Sequence, residues 1–397
     1  MAMSSLRSLF LQHIAQTSPN PLMLQVKRAK GVFIYDEKDQ PYFDLVSGIS
    51  VSALGHLHSD IISAIEKQLA LYLHTQVYGE HIQSVQVELA CALSKILGTG
   101  FESTYFLNSG SEAIDLAIKM SRKYTERYEV VACKNAYHGS TIAAGSLRSD
   151  DEHTLPYQPA MPGVRHIRFN NFDDLEKISS RTACVIVEPV QAEAGVITPT
   201  KEYLNQLRIK CRDTGTLLVF DEIQTGLGRT GYLFAFQKYQ VQPDIIVLAK
   251  ALGGGLPLGA VCSNHDIVSV ITHSPILGHI TTYGGNPLCC AAGLGFVNHL
   301  TRESTVCKVS AKEKLFRERL EHPLIQEVRS SGLMIAVALK DEKLLIPTID
   351  KARQNGVIID FFLFNKNSFR IAPPLIITDE QIEEVSHRIL RTLDSFV

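Results

Sequence analysis

The sequence predicts an α/β protein with a large unit built on a mostly parallel central sheet and a smaller α+β unit beside it. Three observations carry this. Short β-branched runs at 130–133, 183–187, 217–220, 245–248 and 259–262 are apolar almost throughout, as strands buried on both faces are. Amphipathic stretches alternate with them: Ile114, Ala117 and Ile118 recur at helical spacing within 111–128, and Tyr203, Leu204, Leu207 and Cys211 form one stripe within 201–214. Past about residue 300 the texture changes to a charged helical stretch and short strand-like pieces.

In chain order, 31–35 and 41–45 read as a small hairpin around 36–40, which sets the first forty-odd residues apart. The strand-like 104–107 hands over to the helix beginning near Ser111. After the five buried strands come a charged helix over 304–320, strand pieces around Val328 and 335–339, and a helix over 344–354. Strands at 357–359 and 369–372 follow, then an amphipathic helix from Asp379 with Thr378 as its N-cap. The expected division is 1–45 as an N-terminal segment of the small domain, 46–300 as the large, cofactor-binding domain, and 301–397 as the C-terminal small domain.

Composition narrows the function. With 397 residues, 45% apolar and 20% charged, the chain can bury a core without disulfides or metal. A formal net charge of -2 and no dense Lys/Arg run argue against nucleic acid or an acidic membrane as partner. The eight cysteines form no C-x-x-C pair, which argues against zinc and for a reducing cytoplasm. The segment 6–14 carries Arg7, Gln12 and His13, unlike a signal peptide, and no uncharged apolar stretch is long enough to cross a bilayer.

Three buried strands stop at Glu188, Asp221 and Lys250. One charged residue at a strand end is usually only where the chain meets water. An acid, an acid and a lysine on the rim where open α/β sheets bind ligands is a catalytic arrangement. A lysine at a partly desolvated rim is an amine nucleophile toward a carbonyl. Pyridoxal 5'-phosphate (PLP) needs such a lysine and an acid for its pyridinium nitrogen, which Asp221 supplies. Gly110 and Ser111, in Asn108-Ser-Gly-Ser-Glu-Ala at a strand-to-helix junction, offer amides to a phosphate, although Ser-Gly-Ser-Glu is equally a helix cap. Gly226-Leu-Gly-Arg-Thr-Gly matches G-x-G-x-x-G, but Asp221-Glu-Ile-Gln-Thr separates it from its strand and no phosphate-capping helix follows, so a nicotinamide site is not expected. His56 and His58 lack a visible third ligand, so no metal is expected.

These residues carry a resemblance to a family. Phe43-Asp-Leu-Val-Ser-Gly-Ile, Asn108-Ser-Gly-Ser-Glu-Ala, Tyr137-His-Gly, Glu188-Pro-Val-Gln-Ala-Glu-Ala-Gly, Phe220-Asp-Glu-Ile-Gln-Thr-Gly, Leu248-Ala-Lys-Ala-Leu-Gly-Gly-Gly, Thr282-Tyr-Gly-Gly-Asn-Pro and Phe369-Arg-Ile-Ala-Pro-Pro-Leu occur in this order over nearly the whole chain. Together they resemble the class III (ornithine/acetylornithine/4-aminobutyrate type) aminotransferases, of the aspartate-aminotransferase-like fold (PLP fold type I). The resemblance implies ping-pong transamination through a Schiff base on Lys250, from ornithine, acetylornithine or another ω-amino acid to a 2-oxo acid such as 2-oxoglutarate or pyruvate. It also implies that Lys250 shuttles the proton. Asp221 then pairs with the pyridinium, Gln224 with the phenolic oxygen, Tyr137 and Ile223 cover the two ring faces, and Gly110 and Ser111 hold the phosphate. Thr282 reaches the phosphate of a second subunit, which implies a homodimer with shared sites, and Glu188 is a supporting residue. Arg370 grips the substrate carboxylate, and Glu193 pairs with it when an ω-amine binds.

One position departs from the pattern. After Tyr137-His138-Gly139 the chain has Ser140, where the ornithine, acetylornithine and 4-aminobutyrate branches commonly carry arginine. A distal carboxylate is then held elsewhere, with Arg148 a candidate, or is not used. Two other functions stay open here: an aminomutase of the glutamate-1-semialdehyde type, which needs no external oxo acid, and a PLP-binding protein without catalysis.

Overall fold

A computed structural model describes residues 5–397. Fifteen strands form three sheets. Strands β1 (Val26–Lys30), β2 (Phe33–Asp36) and β3 (Pro41–Asp44) make an antiparallel meander near the N-terminus. Seven strands form the central sheet: β4 (Ser103–Leu107), β5 (Glu129–Cys133), β6 (Val164–Ile167), β7 (Thr182–Val187), β8 (Leu217–Asp221), β9 (Ile245–Leu248) and β10 (Gly259–Ser263). Their spatial order is β4-β10-β9-β8-β7-β5-β6. Near the C-terminus, β11 (Ile325–Ser331), β12 (Met334–Leu339), β14 (Asp360–Phe362) and β15 (Asn365–Ile371) form a third sheet. The short β13 (Val357–Ile358) leaves that region and adds parallel to β3, pairing Val357 with Phe43. The N-terminal meander is thus hydrogen-bonded to the last hundred residues of the chain.

The central strands read as continuous apolar runs because both faces are covered. Side chains alternate across a strand, and each run divides accordingly. Val131, Cys133, Val185, Val187, Leu218, Phe220, Ile246 and Leu248 belong to one core. Val130, Ala132, Cys184, Ile186, Leu217, Val219, Ile245 and Val247 belong to the other. The helix Lys201–Thr214 seals the first face with Tyr203, Leu204, Leu207 and Cys211, and the helix Gly110–Thr125 seals the second.

The expected parallel sheet is there: β6-β5, β5-β7, β7-β8 and β8-β9 pair parallel. The strand β10 runs antiparallel to both β9 and β4, so β4 again points the same way as β9. A buried antiparallel strand is as apolar as a parallel one, so composition does not reveal its direction. The carboxyl ends of β4, β5, β7, β8 and β9 therefore share one rim.

The rest follows the sequence with small offsets. The charged stretch opens with a single 3-10 turn, Val306–Lys308, before its helix, Val309–Arg319. Thr378 caps Asp379–Asp394, its side-chain oxygen accepting from the Gln381 N–H while the Gln381 side chain accepts from the Thr378 N–H. Strands β1, β6 and β14 were not expected, being five, four and three residues long and rich in charged or exposed positions. No helix among the described residues is long and apolar enough to cross a membrane.

Candidate active site

The rim of the central sheet opens into a cavity of about 360 Å³. Its wall includes Gly110, Ser111, Tyr137, His138, Glu188, Glu193, Asp221, Ile223, Gln224 and Lys250. Residues from five separate segments thus converge because the strands that deliver them end together. Lys250 follows β9 with φ at 48°, in the left-handed region that a residue with a Cβ rarely occupies. Strain of this kind persists only where the surroundings impose it, and it collects at functional sites.

The Lys250 Nζ donates to Gln224 Oε1 at 3.0 Å. Burial lowers the affinity of this amine for its proton, and it outweighs the opposing pull of Glu193 and Asp221, so the net shift is downward. Asp221 ends β8. Its Oδ2 lies 2.7 Å from His138 Nδ1, and its Oδ1 accepts from the Ile223 N–H at 3.0 Å. His138 is buried, which alone would disfavour its charged form, but the bond to Asp221 and the charges of Asp221 and Glu188 raise its pKa above the ordinary value. Its Nε2 is buried with no partner.

Glu188, at the end of β7, accepts from the Tyr137 N–H at 3.3 Å and the Ala192 N–H at 3.1 Å. Burial pushes its carboxyl up to about 7. It holds the Tyr137 loop and the 188–192 turn together at the cavity wall.

The helix Gly110–Thr125 starts at this rim. Ser109 caps it, accepting from the Glu112 N–H at 3.2 Å, and Glu112 reaches back to the Asn108 N–H at 2.8 Å. The cap and the anion cradle are therefore compatible: Gly110 and Ser111 occupy the first turn, where amides have no partner within the helix. The backbone here leaves no room for larger residues. A Cβ on Gly110 would meet Ile223 Cδ1 at 2.7 Å, and one on Gly139 would collide with Ser111 Oγ.

Arg370 and Glu193 are buried and face each other. Arg370 Nη2 donates to both Glu193 oxygens, at 2.7 and 2.8 Å, while Arg370 Nε and Nη1 have no partner. Arg370 stands in β15 opposite Ala336 and Asp360, behind Glu193 rather than on the cavity wall. The Leu363 and Phe364 N–H groups fix Glu193 through its Oε2 and its carbonyl, at 3.2 and 3.0 Å.

Of the expected residues, Arg370 and Thr282 are off the wall; Arg370 lies behind Glu193, while Thr282 is exposed and away from the cavity. Tyr78, on a segment expected to line the pocket, borders a second cavity instead, and from 50–85 only Val51 reaches the first. The two loop histidines separate: His56 Nε2 meets Asp44 at 2.8 Å, and His58 caps the helix Ser59–Leu69. His58 does lie near Asp60 and His299, but His299 and Arg302 already occupy the Asp60 carboxylate. The sequence reading gave no task to His138. Its place between the expected stacking tyrosine and a glycine was the available signal, and only the fold shows that Asp221 faces it.

The aminotransferase class-III family model matches residues 14–393. The mitochondrial acetylornithine aminotransferase of Alnus glutinosa is 38% identical over 386 residues, covering 93% of this chain and 83% of that protein. An ornithine aminotransferase from Toxoplasma gondii, whose structure has partial occupancy of PLP at the active site, superposes with a TM-score of 0.89 at 28% identity, covering 99% of this chain and 96% of that one. The omega transaminase of Pseudomonas jessenii in complex with PMP gives 0.91 at 26% identity, covering 99% and 98%. With the family match spanning almost its full length, the chain belongs to the class-III aminotransferases.

Proposed function

We propose that the protein is a PLP-dependent aminotransferase that takes the amino group of ornithine, acetylornithine or another ω-amino acid and passes it to a 2-oxo acid. One observation carries this reading: a half-buried amine, Lys250, shares one cavity with an acid, Asp221, and the first-turn amides of Gly110 and Ser111. The residues fit PLP. The amine suits its aldehyde, the acid its ring nitrogen, the amides its phosphate, and Tyr137 and Ile223 on the wall suit its ring faces. The two glycines leave a cradle that a single Cβ would fill.

When bound, PLP supplies a carbonyl to accept the amine and a ring that draws electrons from the adjacent carbon. The protein supplies the rest. Lys250, its proton affinity lowered by burial, is placed to take the proton from the amine-bearing carbon of the donor and return it on the far side of the amine nitrogen, two atoms away. Asp221, backed by the His138 Nδ1, holds a cationic ring nitrogen. Arg370 offers its Nη1/Nη2 edge to a substrate carboxylate once Glu193 releases Nη2, a bidentate match. Glu193 neutralises Arg370 while the substrate in place has no carboxylate to give it.

We also infer a homodimer, with Thr282 serving the partner's site, and a location in the cytoplasm. Supporting the first are Leu71, Leu73, Ile82, Ile276, Leu277 and Tyr283, all exposed, and a cavity of about 630 Å³ between the segments that carry most of them. Eight free cysteines support a reducing compartment. The division at 45 and 300 belongs to the same reading, and the β3-β13 pairing supports joining the two ends in one domain.

The test is the visible absorbance of the purified protein as single amines are added: ornithine, N-acetylornithine, 4-aminobutyrate, β-alanine, glutamate and alanine. One donor bleaches the cofactor band and an oxo acid restores it. A band that no amine changes would overturn the reading.

A further inference from the structure

Ser140 leaves position 140 without a cation, and its Oγ is engaged with the Tyr137 hydroxyl at 3.0 Å. A different cation stands beside the same tyrosine. The Arg148 Cζ lies 5.8 Å from the Tyr137 ring centroid and 5.2 Å from that of Phe364. Tyr137 is on the cavity wall, and Phe364 is on the turn whose amides hold Glu193. Arg148 is therefore close both to the tyrosine of the cavity wall and to the turn over the Glu193–Arg370 pair, just behind the wall itself.

The side chain is fixed. It is only 9% exposed, and Asp150 takes one edge of its guanidinium, with Nε at 2.9 Å and Nη2 at 3.3 Å. Asp150 is itself held by the His153 N–H and ring. Arg148 Nη1 has no protein acceptor among the described residues, yet it is not sealed from solvent as Arg370 Nη1 is. A planar cation anchored along one edge, with donors left on the other, is arranged to receive an anion. A clamp serving structure alone would have no reason to leave that edge unpartnered.

We propose that Arg148 binds the distal carboxylate of the substrate, so that the site favours dicarboxylate oxo acids over monocarboxylates. This rests on the aminotransferase reading and names its substrate class. Arg370 takes the carboxylate next to the reacting carbon and Arg148 the one at the far end.

The experiment measures kcat/KM for 2-oxoglutarate and for pyruvate with one amino donor, in the wild type, Arg148→Gln and Arg148→Lys. The dicarboxylate is preferred in the wild type, and R148Q lowers the 2-oxoglutarate to pyruvate ratio by about ten- to a hundred-fold, mostly through KM, as the loss of a charged hydrogen bond does. R148K recovers part of the ratio. Glutarate, an unreactive dicarboxylate, inhibits the wild type and loses that inhibition in R148Q. An unchanged ratio, or an equal loss with both acceptors, overturns the assignment and leaves Arg148 as a structural clamp. A wild type whose cofactor band no amine bleaches fails differently, because the aminotransferase reading then falls first.

Discussion

Replacing Glu193 by glutamine separates a permanent ion pair from one that opens. Both Glu193 oxygens rest on Arg370 Nη2, and the Leu363 N–H also donates to Oε2. Glutamine keeps the volume and one acceptor oxygen, but it turns an amide donor toward a guanidinium that can only donate. The loss is one charge-assisted hydrogen bond, about 1.5–3 kcal/mol. Arg370 is also left buried without a counterion, which adds to the cost. At about 2.1 cal/mol/K of unfolding entropy per residue, a chain of 397 residues loses only about 2–3 °C in Tm for 2 kcal/mol. Function moves the other way for one half-reaction. An incoming oxo-acid carboxylate no longer has to displace Glu193. If that displacement costs about 1.4 kcal/mol, KM for the acceptor falls about ten-fold. An ω-amine donor, which has no carboxylate at the reacting carbon, instead meets an uncovered cation, and its kcat/KM falls. Calorimetry with the cofactor bound and steady-state kinetics varying each substrate in turn read both effects. An acceptor KM that stays the same or rises, alongside the lower Tm, would show that the pair never opens and refute the reasoning.

Lys250→Ala removes the only amine on the cavity wall; the protein folds, with circular dichroism unchanged, and has no steady turnover, and near-normal turnover would sink the assignment. Gly139→Ala forces a Cβ against Ser111 Oγ at a position with φ of 131°, so PLP affinity measured by absorbance titration falls at least ten-fold, and unchanged affinity would show that the loop yields. Glu188→Gln tests burial through pH. A carboxyl raised from about 4.3 to about 7 keeps a proton in the fold that the unfolded chain has released, so stability falls as pH rises across that window. The wild type then carries about 3 kcal/mol of buried-charge cost at pH 8 and about 1 kcal/mol at pH 5. The variant's Tm relative to wild type should be higher at pH 8 than at pH 5, and an equal difference at both would place that cost elsewhere.

The parts of this site that were legible in the sequence are those written along one strand. Leu217 to Phe220 can only be buried on both faces, so the polar residue that follows, Asp221, must emerge at the rim, and the same logic delivers Glu188 and Lys250. Parallel strands put such ends on one side, so three local patterns determine a shared location without any long-range information. The direction of β10 escapes this logic, because nothing in an apolar pentapeptide records which way its neighbours run. Thr282 escapes it too: its expected task belongs to another copy of the chain.

What the sequence withheld is the partner of each residue. His138 and Asp221 are 83 positions apart, and their 2.7 Å contact depends on how the loop after β5 folds back over β8. Arg148 is the sharper case. It stands eight residues beyond Ser140, and the sequence offers it only as a candidate, because spacing does not say where its guanidinium goes. In space, the short helix Ile142–Gly145 turns the chain back so that the guanidinium reaches the ring of Tyr137, three residues before that serine. A site built on loops can therefore move a charge along the sequence while keeping it near the same point in space. Substrate class has to be judged from where the cations stand around the cavity, because the residue after Gly139 alone offers a distal carboxylate no charge.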